Sequence, residues 1–192
     1  RALAAGLALY CEKPLCHDIY EARKLRELAK AKKVATQMGN QGHANEGLRL
    51  VVEWVQAGML GDITEVHTWT NRPIWPQGMK EQPEPEPIPT GLDWDLWIGP
   101  APMRPYNSAY CPFKWRGWWD FGTSVLGDFG CHYFDAAFWA LELRHPTSIE
   151  AESEGNSRDG CPRWAKVVYQ FAGQANGRPP ITGITVLECA AS

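Results

Sequence analysis

The N-terminal stretch of this chain reads as a strand, a helix and a second strand in succession, and that order dictates how the strands pair. Residues 7–10 form a short apolar run that ends at Glu12-Lys13-Pro14, the pattern of a buried strand. Asp18 and Glu21 stand three apart as a capping box, so a helix is expected to begin near Ile19. Ile19, Ala22, Leu25 and Ala29 give that helix one apolar stripe, and lysines gather at its C-terminal end, where the helix dipole favours them. Residues 34–38 then read as another strand, ending at Gly39. Two strands joined through one helix must lie parallel, with a right-handed crossover.

Beyond residue 43 the composition changes, and the domain boundary is expected there. Residues 1–43 read as the tail of an α/β unit and 44–192 as an α+β domain. Residues 45–57 carry Leu48, Val51, Val52 and Val55 at helical spacing, with Gly58 as the stop and Gly61 starting a turn. Residues 63–71 read as a strand. The loop 73–89 contains Pro83, Pro85, Pro87 and Pro89 in alternation, which favours extended, solvated backbone. Residues 93–100 are compact and aromatic. Residues 124–143 are apolar on nearly all sides and predict one long buried helix. Three strand-like runs follow, 147–154, 165–171 and 181–189. No helix separates them, so antiparallel or mixed pairing is expected.

Composition excludes several functional classes. The 192 residues are 44% hydrophobic and 21% charged with a net charge of -3, which is ordinary globular material without a basic stripe for nucleic acid. No apolar run reaches membrane-spanning length. The six cysteines form no Cys-x-x-Cys and are expected to be reduced. The opening segment after Arg1 lacks an initiator Met and runs directly into the first strand, so it is not read as a targeting segment. Both ends of the chain are expected to be cut.

Four groups of residues can carry chemistry. Glu12, Lys13 and Pro14 follow a strand, and ligands of a doubly wound sheet sit beyond strand C-termini. Lys13 there can donate to a substrate hydroxyl; the alternative is a solvated lysine in a turn. Asp128 and His132 lie four apart on one helical face, with Asp135 a turn further. A carboxylate beside an imidazole suits general acid–base work; a structural pair and a metal pair are the alternatives. Gln37, Asn40, Gln41 and His43 cluster at the end of the second strand and can read a ring or hydroxyls, or simply form a turn that caps the next helix. Arg116 can clamp a ligand oxygen or pair with Asp120. Most of the ten tryptophans fall between Trp69 and Trp139. Trp75 among them is a candidate for packing against a sugar ring.

Together these segments resemble the Gfo/Idh/MocA family of oxidoreductases. The carrying residues are Tyr10-Cys-Glu12-Lys13-Pro14-Leu15, Thr36-Gln-Met-Gly-Asn-Gln-Gly-His43, Ala57-Gly-Met-Leu-Gly-Asp-Ile63, Trp94-Asp-Leu-Trp-Ile-Gly-Pro100 and Gly127-Asp-Phe-Gly-Cys-His132-Tyr-Phe-Asp135. The resemblance implies the C-terminal part of a Rossmann-type parallel sheet, then an α+β domain with an open, largely antiparallel sheet. It implies NAD or NADP as cofactor and a sugar, inositol or related polyol as substrate. It casts Lys13, Asp128 and His132 as catalytic, with Glu12, Lys13, Pro14, Gln37, Asn40 and Gln41 toward the cofactor. It leaves His43, Trp75, Arg116 and Asp135 toward the substrate, and predicts a cis Lys13–Pro14 bond. Homo-oligomers through the open sheet are expected, with no membrane or nucleic-acid partner. The compartment expected is the cytoplasm, or the periplasm through an upstream export signal. An NAD-dependent glycoside hydrolase of the same superfamily and a non-catalytic assembly domain are the alternatives. The Gly-x-Gly-x-x-Gly turn does not occur in this sequence, so the chain alone is expected to bind cofactor poorly and to be inactive.

Overall fold

The computed structural model describes residues 1–16 and 18–188, so Cys189 of the last strand-like run lies outside them. The chain divides into two compact units, Arg1–Leu48 and Arg49–Ser192.

The first unit holds β1 (Leu9–Glu12), α1 (Ile19–Lys32) and β2 (Thr36–Gly39), with the two strands parallel and Glu12 opposite Gly39. The cap lies where the sequence placed it: the Asp18 side chain accepts from the Glu21 N–H at 2.8 Å. Lys33 ends α1 in the left-handed region. Helix α1 buries no residue completely, and Leu7, Tyr10, Ile19, Tyr20 and Met38 are exposed. The Lys13–Pro14 bond is cis, as the resemblance predicted. Helix α2 (Glu46–Gln56) spans the division between the units.

The second unit is built on a four-stranded sheet of order β3-β6-β5-β4, with β3 (Glu65–Thr70), β4 (Ser148–Glu154), β5 (Trp164–Phe171) and β6 (Ile181–Glu188). The β4–β5 and β5–β6 pairs are antiparallel and β3–β6 is parallel, the mixed pairing expected from three runs without intervening helices. Helix α3 (Trp94–Ile98) anchors an aromatic core of Trp94, Ile98, Tyr106, Tyr110, Cys111 and Trp118. Trp94 stacks on Trp97 at 4.9 Å and meets Tyr106 edge-on at 5.3 Å. Both indole N–H groups of this core are satisfied: Trp94 donates to the Arg104 carbonyl and Trp118 to that of Ala109. A second core under the sheet joins Leu141, Phe171 and Ile181. Burial pushes the Cys161 thiol up to about 12, and Cys11, Cys16, Cys111 and Cys161 are free thiols.

The single long helix expected over 124–143 is two helices, α4 (Ser124–Tyr133) and α5 (Asp135–Ala140), joined at Phe134. Gly130 explains the joint. The Phe134 ring folds back over it, where an added Cβ would lie 3.3 Å away. From there Phe134 packs edge-on against Tyr169 of the sheet, and Phe138 packs against Phe171. An apolar run of this kind cannot specify its own breaks, because every register of it is hydrophobic.

Candidate functional site

In the first unit the parallel register brings both strand ends to one edge of the sheet. Glu12 closes β1 and is exposed; Lys13 is half-buried, and its N–H donates to the Gly39 carbonyl at 3.3 Å. Gly39 lets the exposed Tyr10 ring lie against the strand, since an added Cβ would come 2.7 Å from its hydroxyl. Gln37 sits inside β2 opposite Tyr10, not at its end. Asn40 is half-buried, and its carbonyl accepts from the His43 N–H at 3.2 Å in a turn that also contains the exposed Gln41. The task of capping α2 falls to Asn45, whose side chain accepts from the Gly47 N–H at 2.8 Å.

In the second unit α4 supplies Asp128 and His132 one turn apart, both half-buried. The start of α4 is fixed by a residue that sequence reasoning missed. Gln77 accepts from the Val125 N–H at 3.2 Å and from the Trp75 indole N–H at 3.2 Å, and donates to the Pro162 carbonyl at 2.6 Å. It caps the helix from a distant loop, and no local pattern marks such a cap. Asp135 opens α5 three residues past His132, across a joint at which Phe134 keeps right-handed helical dihedrals.

Arg116 reaches Asp128, with its Nε 3.5 Å from the carboxylate. The pairing of Arg116 with Asp120 expected from their spacing does not occur; Asp120 is bonded by the buried Arg104 instead. An i, i+4 pair needs an α-helix. Residues Lys114–Gly117 form a 3-10 turn that stops, and Trp118 is already extended. Gly122 lets the chain fold back on Arg116, because an added Cβ would lie 2.5–2.8 Å from the Arg116 backbone. The guanidinium of Arg116 lies 4.3 Å from the Trp115 ring centre, 4.9 Å from Phe113 and 5.2 Å from Trp75. Its Nη1 donates to the Phe113 carbonyl at 3.1 Å. Trp75 is only 4% exposed and stacks on Phe129 at 6.2 Å, so it backs this arrangement rather than lining it. Phe129 in turn meets the His132 ring edge-on at 6.3 Å.

The chemistry on offer here is a carboxylate held near the Arg116 guanidinium and an imidazole four residues further along the same helix. No group of His, Cys, Asp and Glu among the described residues could hold a metal ion. No helix among them is long and apolar enough to cross a membrane.

A mixed sheet backed by short helices, preceded by a parallel strand pair, defines an α/β protein of two units. Residues 47–177, more than half of the chain, match the family model described as the oxidoreductase family, C-terminal alpha/beta domain. The chain belongs to the Gfo/Idh/MocA family of oxidoreductases. No curated protein matches the sequence. Among solved structures it is similar to an NAD binding oxidoreductase from Klebsiella pneumoniae, at TM-score 0.65 and 17% identity, covering 97% of this chain and 43% of that one. It is similar to an inositol dehydrogenase homolog complexed with NAD+ from Azotobacter vinelandii, at TM-score 0.62 and 23% identity over 96% of this chain and 40% of the other. A third is the WlbA dehydrogenase from Bordetella pertussis in complex with NADH and UDP-GlcNAcA, at TM-score 0.63 and 16% identity over 99% and 46%. The chain thus spans less than half the length of these structures, and at such identities the likeness is one of fold.

Proposed function

We propose that this chain is the active-site part of an NAD(P)-dependent oxidoreductase that moves a hydride between a nicotinamide and a hydroxyl-bearing carbon of a sugar, inositol or related polyol. Residues 1–43 belong to its cofactor domain and 44–192 to its substrate domain. The observation that carries the reading is the α4 pair, Asp128 and His132, held half-buried with Arg116 behind the carboxylate in a chain of this family. Solved structures of the same fold contain NAD+ or NADH, which supports the cofactor class.

The donor set of the first unit fits one end of such a cofactor. Lys13 and the amides of Asn40 and Gln41 leave the parallel strands at their C-terminal edge, where such sheets take ligands, with Glu12 and Pro14 beside them and Gln37 one turn of the strand back. Amide and ammonium donors suit a carboxamide and ribose hydroxyls. The sequence holds no glycine-rich turn for the diphosphate. When bound, the nicotinamide supplies the hydride acceptor or donor. His132 takes the proton from the substrate hydroxyl through a ring nitrogen and returns it in reduction. Asp128 orients that exchange and Arg116 keeps Asp128 in place; in the first unit Lys13 is assigned a catalytic role as a hydrogen-bond donor. His43 and Asp135 are assigned to substrate hydroxyls, with Trp75 acting through Arg116.

The sheet face opposite α5 carries Trp69 beside Val186, and Ile184 beside Val168. Trp69 is 74% exposed, and we assign this face to contact with a second copy of the chain.

The test is turnover of sugars and inositols by the complete gene product, followed by nicotinamide absorbance. Lys13→Ala and His132→Ala should each lower kcat by about 10² or more while the melting temperature holds. An unchanged rate in either variant removes that residue from the mechanism.

A further inference from the structure

Two guanidinium groups bracket the stacked pair Trp75 and Phe129, and they differ in one respect. Arg116 lies over Trp75 and already has its counter-charge in Asp128. Arg72 lies over Phe129, with its guanidinium 5.5 Å from the ring centre. Among the described residues no carboxylate pairs with Arg72.

Arg72 does not sit on a loose surface loop. It lies two residues past the end of β3 with its side chain exposed, and its N–H donates to the hydroxyl of the buried Thr70 at 3.1 Å. The next residue, Pro73, is fully buried and fixes the corner. Phe129, which carries the guanidinium, is the neighbour of Asp128 in sequence and packs on the His132 ring. A guanidinium resting on an aromatic face keeps its N–H edge directed outward, the geometry that recognises planar or tetrahedral anions. The Phe129 side of α4 therefore carries one guanidinium paired with Asp128 and one, exposed, that no carboxylate among the described residues pairs with. The nearest further carboxylate by chain position, Asp135, belongs to α5 beyond the joint.

We propose that the substrate carries an anionic group, a carboxylate or a phosphate, and that Arg72 is the residue that reads it. This rests on the oxidoreductase reading for the reaction, but not for the binding. A neutral polyol offers the exposed Arg72 guanidinium no counter-charge, whereas an acidic sugar gains charge-assisted hydrogen bonds there.

The experiment is a titration of the 192-residue chain with glucose, glucuronate and glucose 6-phosphate, followed by NMR of arginine side-chain Nε–H signals. Glucuronate or glucose 6-phosphate should bind about tenfold or more tightly than glucose and shift the Arg72 signal, and which of the two binds better names the anion. R72Q should collapse that ratio, and R72K should restore part of it. Equal binding of the neutral and anionic sugars, no binding of either anion, or a ratio untouched by R72Q overturns the proposal. The same three sugars are then offered for turnover to the complete gene product. Selective binding of the acidic sugars without any cofactor reduction would leave Arg72 as an anion reader and remove the oxidoreductase reading. Turnover of neutral and acidic sugars at equal kcat/KM would do the reverse.

Discussion

The two units of this chain solve the problem of burial differently. The second has three clusters of buried apolar side chains and a four-stranded sheet with helices packed on it. The first has a two-stranded parallel sheet and a helix that buries no residue completely. Parallel sheets are stable when both faces are covered, and two strands alone are marginal. In the first unit Leu7, Tyr10, Ile19, Tyr20 and Met38 are exposed, while in the second Arg116 packs over Trp115, Phe113 and the buried Trp75.

Four substitutions break or sharpen that contrast. The largest effect is expected at the aromatic core. Trp94→Ala should cost about 3–5 kcal/mol in denaturant unfolding, since it empties the centre of the stack. The half-buried Leu25→Ala in α1 should cost well under half of that. Equal losses would show that the first unit is as well packed as the second. Next, Asp120→Asn should cost about 1–2 kcal/mol, because it leaves Arg104, whose side chain is 8% exposed, with only the Asp159 carboxylate at 3.9 Å. It should also loosen the segment that presents Arg116, visible as a weaker Arg116–Asp128 coupling in a double-mutant cycle; full additivity would show the two ion pairs to be independent. Smallest is Asp18→Ala, which removes the α1 cap and should cost about 1 kcal/mol. Amide exchange should then rise along α1 and stay unchanged along β5. Faster exchange in β5 as well would mean that the units open together.

Much of the local structure was legible in the sequence. The β1–α1–β2 order, the Asp18 cap, the α2 helix with its Gly58 stop, and the strands of the mixed sheet all follow from periodicity and capping chemistry. The face shared by Asp128 and His132 followed from helical spacing alone. The joint at Phe134 did not, because it depends on where Phe134 and Phe138 find Tyr169 and Phe171 across the sheet. Gln77 and Arg72 were also invisible: one caps a helix from a remote loop, and the other acquires its meaning only from the ring beneath it.

The sequence by itself determined the elements, their order, the parallel pairing of the first two strands and the residues that face one way along α4. These depend on contacts within a few residues, which spacing encodes directly. Only the tertiary structure decided which charges meet. Arg116 has Asp120 at helical distance in the chain, yet its partner is Asp128, and Asp120 belongs to Arg104. Coulomb attraction at the strength that matters acts over a few ångströms in a partly desolvated site, so the partner is chosen by packing, and packing here turns on a 3-10 turn that ends one residue after Arg116.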